Sequence, residues 1–195
     1  MHSAFHRVID RKRIALRPER ASNVETTRCK PSRRCRTLGA SLLESYPFLT
    51  MSDDLLESAS DLAFNKLKEV GGDPRNLPTP LQTVAVVIAA HGVLENGGLR
   101  HFFENDWPGN PPYNMFASAY ERIGAGDFAS AIRAFEGMFP MPTPEQYDEG
   151  RCAFMDEDYA TTELTTLDKQ CTSDVWAQLA SYVATHRESF SFPHN

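Results

Sequence analysis

Residues 84–90 read Val-Ala-Val-Val-Ile-Ala-Ala, the most apolar run in the chain. Four of those seven side chains are β-branched, so a buried strand and a buried helix compete for the segment. The flanks favour the helix. Thr79 offers a cap, Pro80 suits the first helical turn, and Gln82 stands three residues after Thr79, the spacing of a capping box. A helix apolar on every side has to lie inside other helices. The segment therefore predicts a central helix over about 80–95, with His91 and Glu95 near its end. Asn96-Gly97-Gly98 follows. Neither flank alternates as hairpin strands do, so the glycines read as a helix stop in left-handed backbone. A short second helix then starts near Gly98, with Leu99, Phe102 and Phe103 on one face and Arg100, His101 and Glu104 elsewhere.

The rest of the body repeats helical spacing. Ser52 reads as the cap of a helix over about 53–70, with Asp53 and Asp54 in its first turn. Its apolar face is Leu55, Leu56, Ala59, Leu62, Ala63, Leu67 and Val70, and Gly71-Gly72 stops it. Phe116, Ala119, Tyr120 and Ile123 recur at i, i+3, i+4, i+7. After Gly124-Ala125-Gly126, with Asp127 as cap, Phe128, Ala131, Ile132, Phe135, Met138 and Phe139 do the same, an αα-hairpin. Its second half resembles half of a tetratricopeptide repeat, but a single copy builds no solenoid. A helix is expected over about 144–154, then an irregular stretch to Cys171 with Leu164 and Leu167 tucked in. A last helix opens at Ser173 or Asp174, presents Val175, Trp176, Leu179, Ala180 and Val183, and ends near His186. The expected fold class is all-α: a compact bundle of about six or seven short helices around the central buried one, preceded by a disordered N-terminal extension.

Charge divides the chain. Its formal net charge is −6, but residues 1–50 hold 11 Lys+Arg against 4 Asp+Glu, a net of +7, and residues 51–195 hold 9 against 22, a net of −13. The basic first fifty residues have too few large apolar side chains to offset the entropy of ordering them. Three readings stand for them: a start codon placed upstream of a true one at Met51, a basic tail that touches nucleic acid or an acidic surface, or a targeting peptide. The domain reading is thus 1–50 as extension and 51–195 as an acidic helical domain. No apolar stretch approaches a membrane span. Cys29, Cys35, Cys152 and Cys171 form no Cys-x-x-Cys pair, which reads as free thiols in a reducing cytoplasm.

Asn96-Gly97-Gly98-Leu99-Arg100-His101-Phe102-Phe103-Glu104-Asn105 resembles the Asn-Gly-Gly, aromatic, Asn signature of the DNA mimic protein 19 C-terminal-domain family, small helical bacterial proteins. The resemblance runs from about Leu77 to Phe190. Leu99 stands where a Phe is more usual, and Trp107-Pro108-Gly109-Asn110-Pro111-Pro112 makes a stiffer loop than the family pattern. The resemblance implies a helical dimer. It also implies that Asn96 holds the glycine turn while Phe102 and Phe103 pin it to the core. The eponymous member is an acidic dimer that imitates DNA and sequesters a DNA-binding regulator, a role that need not pass to every member.

Candidate chemistry is sparse. His101 and Glu104, at i, i+3, could seed a metal site with His91 nearby, but they read equally as a solvated face without fixed ligand spacing. Cys152 could be a nucleophile, against a small buried hydrophobe on the 144–154 helix. Gly97-Gly98 could cradle an anion, but no Lys or Ser/Thr stands at phosphate-loop spacing. No metal or cofactor is expected. The most distinctive feature is carboxylate: Asp53, Asp54, Glu57 and Asp61 on the first helix, and Asp148, Glu149, Asp156, Glu157 and Asp158 within eleven residues. Such a surface repels phosphates and attracts basic proteins, or merely keeps the chain soluble. The expectation is a non-enzymatic domain that binds a basic protein, either a DNA-binding regulator or a toxin in an immunity or antitoxin role, and not nucleic acid itself. The other class is a small-ligand or metal binder using the turn at 96–105.

Overall fold

The computed structural model describes residues 47–190, with side chains from Asp54 onward. Among the described residues there are seven α-helices and no strand: α1 (Pro47–Glu69), α2 (Thr79–Glu104), α3 (Tyr113–Ile123), α4 (Gly126–Glu136), α5 (Asp148–Met155), α6 (Asp158–Asp168) and α7 (Val175–Thr185). Three short 3-10 turns, Pro74–Asn76, Pro144–Gln146 and Arg187–Phe190, complete the set. The described residues from Thr50 to Phe190 fall within one compact unit. The all-helical fold class holds. The expectations for residues 1–46 and for the side chain of Asp53 fall outside the described residues.

α2 is the axis. Val84, Val87, Ala90, Leu99, Phe102 and Phe103 are fully buried, and α3, α5, α6 and α7 all pack against it. An apolar helix with neighbours on every side removes from water the surface that drives folding, at about 25 cal/mol per Å². Thr83, also fully buried, satisfies its hydroxyl three ways: it donates to the Thr79 carbonyl at 2.9 Å and meets Arg122 Nη1 at 3.2 Å and Tyr182 Oη at 3.5 Å. One hydroxyl thus joins α2, α3 and α7.

α3 and α4 form the predicted antiparallel pair. Gly124 takes φ 93°, its N–H donates to the Glu121 carbonyl at 3.0 Å, and the Ala125 N–H reaches Tyr120 at 2.9 Å. These are the two bonds of a Schellman stop, in which a positive φ makes glycine the natural residue.

Five sequence expectations are corrected. α1 begins at Pro47, so Ser52 lies inside the helix and not at its cap; Pro47 suits a first turn, and nothing in Phe48-Leu49-Thr50 interrupts it. The buried face of α1 is Leu56, Ala59, Ala63, Phe64 and Leu67, with Leu55, Leu62 and Val70 only partly covered, so the stripe is rotated toward Phe64. The Thr79 capping box does not form: Thr79 is already helical, Pro78 precedes it, and the Gln82 amide donates instead to the Pro74 carbonyl at 3.0 Å. The helix expected from 144 starts at Asp148, because Pro144–Gln146 spends one turn as 3-10. The stretch taken as irregular contains α6, whose Thr161, Thr162, Thr165 and Thr166 had masked its periodicity. Thr has weak helix propensity, but Ala160, Leu164 and Leu167 fall on one buried face.

Candidate interaction surface

The Asn-Gly-Gly stop proves to be a kink inside one continuous segment, and its two glycines do different jobs. Gly98 has φ 66° and ψ −164°, a conformation open only to glycine. It splits α2 into a long half and a six-residue half that starts at Leu99. That second start is capped from far away: the Leu99 N–H donates to Asp168 Oδ1, at the end of α6, at 2.8 Å. Any Cβ on Gly98 would stand 2.5 Å from Asp168 Oδ2. Gly97 is needed for space, since its Cβ would stand 2.5 Å from the Cβ of His101. Asn96 reaches backward, its side-chain amide donating to the Gly92 carbonyl. It therefore secures the end of the long half, while Asp168 holds the turn. Asp168 is missed by sequence reasoning because its partner lies 69 residues away.

Past the kink the aromatics lock. Phe102 packs on Phe103, Trp107, Tyr113 and Phe116, with ring centroids 5.0 to 5.6 Å apart. Phe103 meets Tyr113, Phe135 and Phe139. Their carbonyls near the helix end are used as well: Trp107 Nε1 donates to Phe102 at 3.1 Å and Tyr113 Oη to Phe103 at 3.3 Å. Asn105 closes the helix through its own N–H, which reaches the His101 carbonyl at 3.1 Å. The stiff loop that follows is fastened to the turn before α2 by Arg75, which pairs with Asp73 at 2.7 Å and donates to the Gly109 carbonyl at 3.1 Å.

The polar candidates around the turn are engaged in structure. Arg100 binds Glu104 at 2.7 Å, the Met155 carbonyl at 3.1 Å and Asp156, and these acids push its guanidinium pKa up, Asp156 foremost. Glu104 is thus tied to Arg100, while His101 lies exposed over Gly97. His91 sits elsewhere, buried among Tyr120, Phe128 and Trp176 with centroids at 6.3, 5.4 and 5.2 Å. Among the described residues no group of three or more His, Cys, Asp or Glu is placed to hold a metal. Cys152 and Cys171 are free thiols. Burial, then Asp148, pushes the Cys152 pKa up, and burial with Asp127 and Asp168 pushes Cys171 up to about 12, so neither is an activated nucleophile.

The carboxylates divide into paired and unpaired. Asp148 pairs with Arg151 at 2.9 Å, and Asp156 with Arg100. Glu149, Glu157 and Asp158 are exposed and have no ion pair among the described residues; Asp54 and Glu57 on α1 are likewise exposed and unpaired. Asp61 is exposed on the same helix. Asp148 and Glu149 lie in the first turn of α5 and Asp158 in that of α6, where negative charge also favours the helix dipole. Asp148 and Glu149 open α5, while Asp156, Glu157 and Asp158 stand at the α5–α6 joint. Tyr147 precedes α5 and Tyr159 follows the joint, 51% and 57% exposed.

No helix among the described residues is long and apolar enough to cross a membrane. No curated protein and no solved structure matches the chain. A family model described as DMP19-like protein matches residues 75–186. That span opens on the turn leading into α2 and closes just past α7, so it takes in the glycine kink, its aromatic anchor and the Asp168 cap together. The chain belongs to the DMP19-like protein family.

Proposed function

We propose that this protein acts by binding and not by catalysis, presenting the acidic surface of α5 and α6 to a basic protein. The observation that supports this reading most is the set of exposed, unpaired carboxylates Glu149, Glu157 and Asp158 beside two exposed tyrosines. Unpaired surface carboxylates raise the association rate of a basic partner, and tyrosines supply contact area at low entropic cost. Family membership favours a DNA-binding regulator as that partner, held away from DNA by carboxylates that stand in for phosphates. The same chemistry suits a basic toxin. The small-ligand alternative at 96–105 is weaker, since Glu104 is bound to Arg100.

The test is retention of basic proteins from a lysate of the native host at low and moderate salt, followed by their identification. A partner retained at low salt, released by salt, and displaced from its DNA by this chain supports DNA mimicry. A retained toxin supports the immunity reading. Equal retention by a Glu149→Gln, Glu157→Gln, Asp158→Asn variant sinks the surface assignment. Sedimentation of the same sample tests the homodimer that the family implies.

A further inference from the structure

We infer that the start of α7 is a proton-sensitive latch, held shut by the Glu95–Trp176 hydrogen bond over a neutral His91 and released when His91 takes up a second proton. His91 lies on α2 and is only 8% exposed. Its ring stands edge-on to Tyr120 of α3, Phe128 of α4 and Trp176 of α7, one ring from each of three helices. Nδ1 is buried with no hydrogen-bond partner in the protein. Nε2 stands 3.9 Å from Glu95 Oε1, beyond hydrogen-bond reach. That same oxygen receives the Trp176 Nε1–H at 2.9 Å. One carboxylate oxygen therefore stands between the imidazole of α2 and the indole of α7.

An imidazolium has two N–H donors to satisfy. In the closed arrangement Nδ1 faces rings and no acceptor, and Nε2 reaches Glu95 only by drawing that carboxylate away from the indole. The groups around the ring do not supply another acceptor. Glu95 on α2 and Asp174 at the start of α7 bring negative charge toward it, but burial outweighs them and keeps the closed-state imidazole neutral. The Tyr120 phenol is fully buried and neutral. Asp127, beside Phe128 on α4, is taken by the N–H groups of Phe128, Thr172 and Ser173. Cys171, in the segment before α7, is held as a neutral thiol. Relief comes from the side that can move. α2 is enclosed by its neighbours, whereas Trp176 is half-buried and Thr172 and Asp174 are exposed. Lifting the first turn of α7 lets water reach His91 without disturbing the axis of the fold.

The experiment is hydrogen exchange of the full chain at pH 7.5 and 5.5, followed by mass spectrometry and corrected for the intrinsic chemical rate. Amides of residues 177–180 should exchange faster than the core of α2 at both pH values, the mark of a local opening. Their exchange should also speed up several-fold at the lower pH, with about tenfold as the ceiling one unit below the ordinary histidine value. His91→Gln should remove the speed-up, and Trp176→Phe, which lacks the indole N–H, should speed exchange already at pH 7.5. Equal rates in α7 and α2 overturn the latch, because only unfolding of the whole domain then frees the imidazole. A pH response that is missing in the native chain, or that survives in His91→Gln, overturns it as well. Should His91→Gln fail to fold, Trp176→Phe carries the test, and unchanged exchange at pH 7.5 in that variant overturns the latch.

Discussion

Asp168 and Gly98 are fitted to each other: one carboxylate oxygen receives the Leu99 N–H at 2.8 Å, and the other occupies the place where a Cβ on Gly98 would lie. Gly98→Ala therefore meets two obstacles, a positive φ of 66° and a contact of 2.5 Å. It should cost about 1–3 kcal/mol. Asp168→Ala should cost about 1 kcal/mol as a lost cap, and Asp168→Asn much less, since Asn keeps the acceptor. Removing the carboxylate should ease the contact, so Gly98→Ala plus Asp168→Ala should cost less than the sum of the single changes. Urea denaturation of the four variants checks this, and strict additivity would show the two positions to be independent.

His91 gives a pH dependence of definite sign. Burial holds its pKa below the ordinary 6.5, opposed by the charges of Glu95, 3.9 Å away, and Asp174. The fold thus keeps the imidazole neutral. Above pH 6.5 it costs nothing. As pH falls below 6.5 the unfolded chain gains a proton that the folded chain refuses, so stability declines until the lower folded pKa is reached. Thermal melts between pH 7.5 and 5 should show this decline in the native protein and a shallower one in His91→Gln.

Asp127 behaves oppositely. Burial would raise its pKa, but the Ser173 hydroxyl and the N–H donors of Thr172, Ser173 and Phe128 outweigh it and hold the carboxylate below 3.8. Its contribution is complete above the ordinary value and is lost as pH falls through the lowered one. Since Oδ2 takes the N–H groups of Thr172 and Ser173, both at 2.7 Å, Asp127→Ala should release the segment before α7. Hydrogen exchange at those two amides should accelerate well before exchange in α2 changes.

The aromatic anchor and the exposed tyrosines should separate cleanly. Phe103→Ala, at a fully buried site, should cost about 3–5 kcal/mol. Tyr147→Ala, at a site 51% exposed, should stay within about 0.5 kcal/mol while weakening partner binding. Guanidinium denaturation together with a binding assay checks both halves.

What could be read from the sequence was what depends on neighbours along the chain. The apolar run of α2, the Gly124 stop, the i, i+3, i+4 stripes of α3 and α4 and the Asp174 cap of α7, which receives the Ala177 N–H at 3.1 Å, are all local. The kink was visible at Asn96-Gly97-Gly98, but which glycine turns the chain was not, because His101 and Asp168 decide it by contact. The distant partners of Arg100, Arg151, Asp127 and Asp168 escaped notice for the same reason: each joins elements that only folding brings together. Asp127, expected as a cap, instead sits one residue inside α4 and anchors a distant strand of loop. α6 was overlooked because its four threonines look like loop composition. Their hydroxyls bind carbonyls within the chain, at Met155, Asp158, Thr161 and Thr162, which hides the mismatch with propensity.

The break at Gly98 constrains chain length as tightly as it constrains residue identity. Each added residue rotates a helix by about 100°. One letter inserted between the break and Phe102 would swing both rings out of the interior, although every side chain survived. Between Val70 and Pro74, an added residue would only lengthen the glycine turn at Gly71 and Gly72, where a Cβ would meet nothing within 4 Å. Drift in this molecule should therefore place insertions before α2 and not beyond the break.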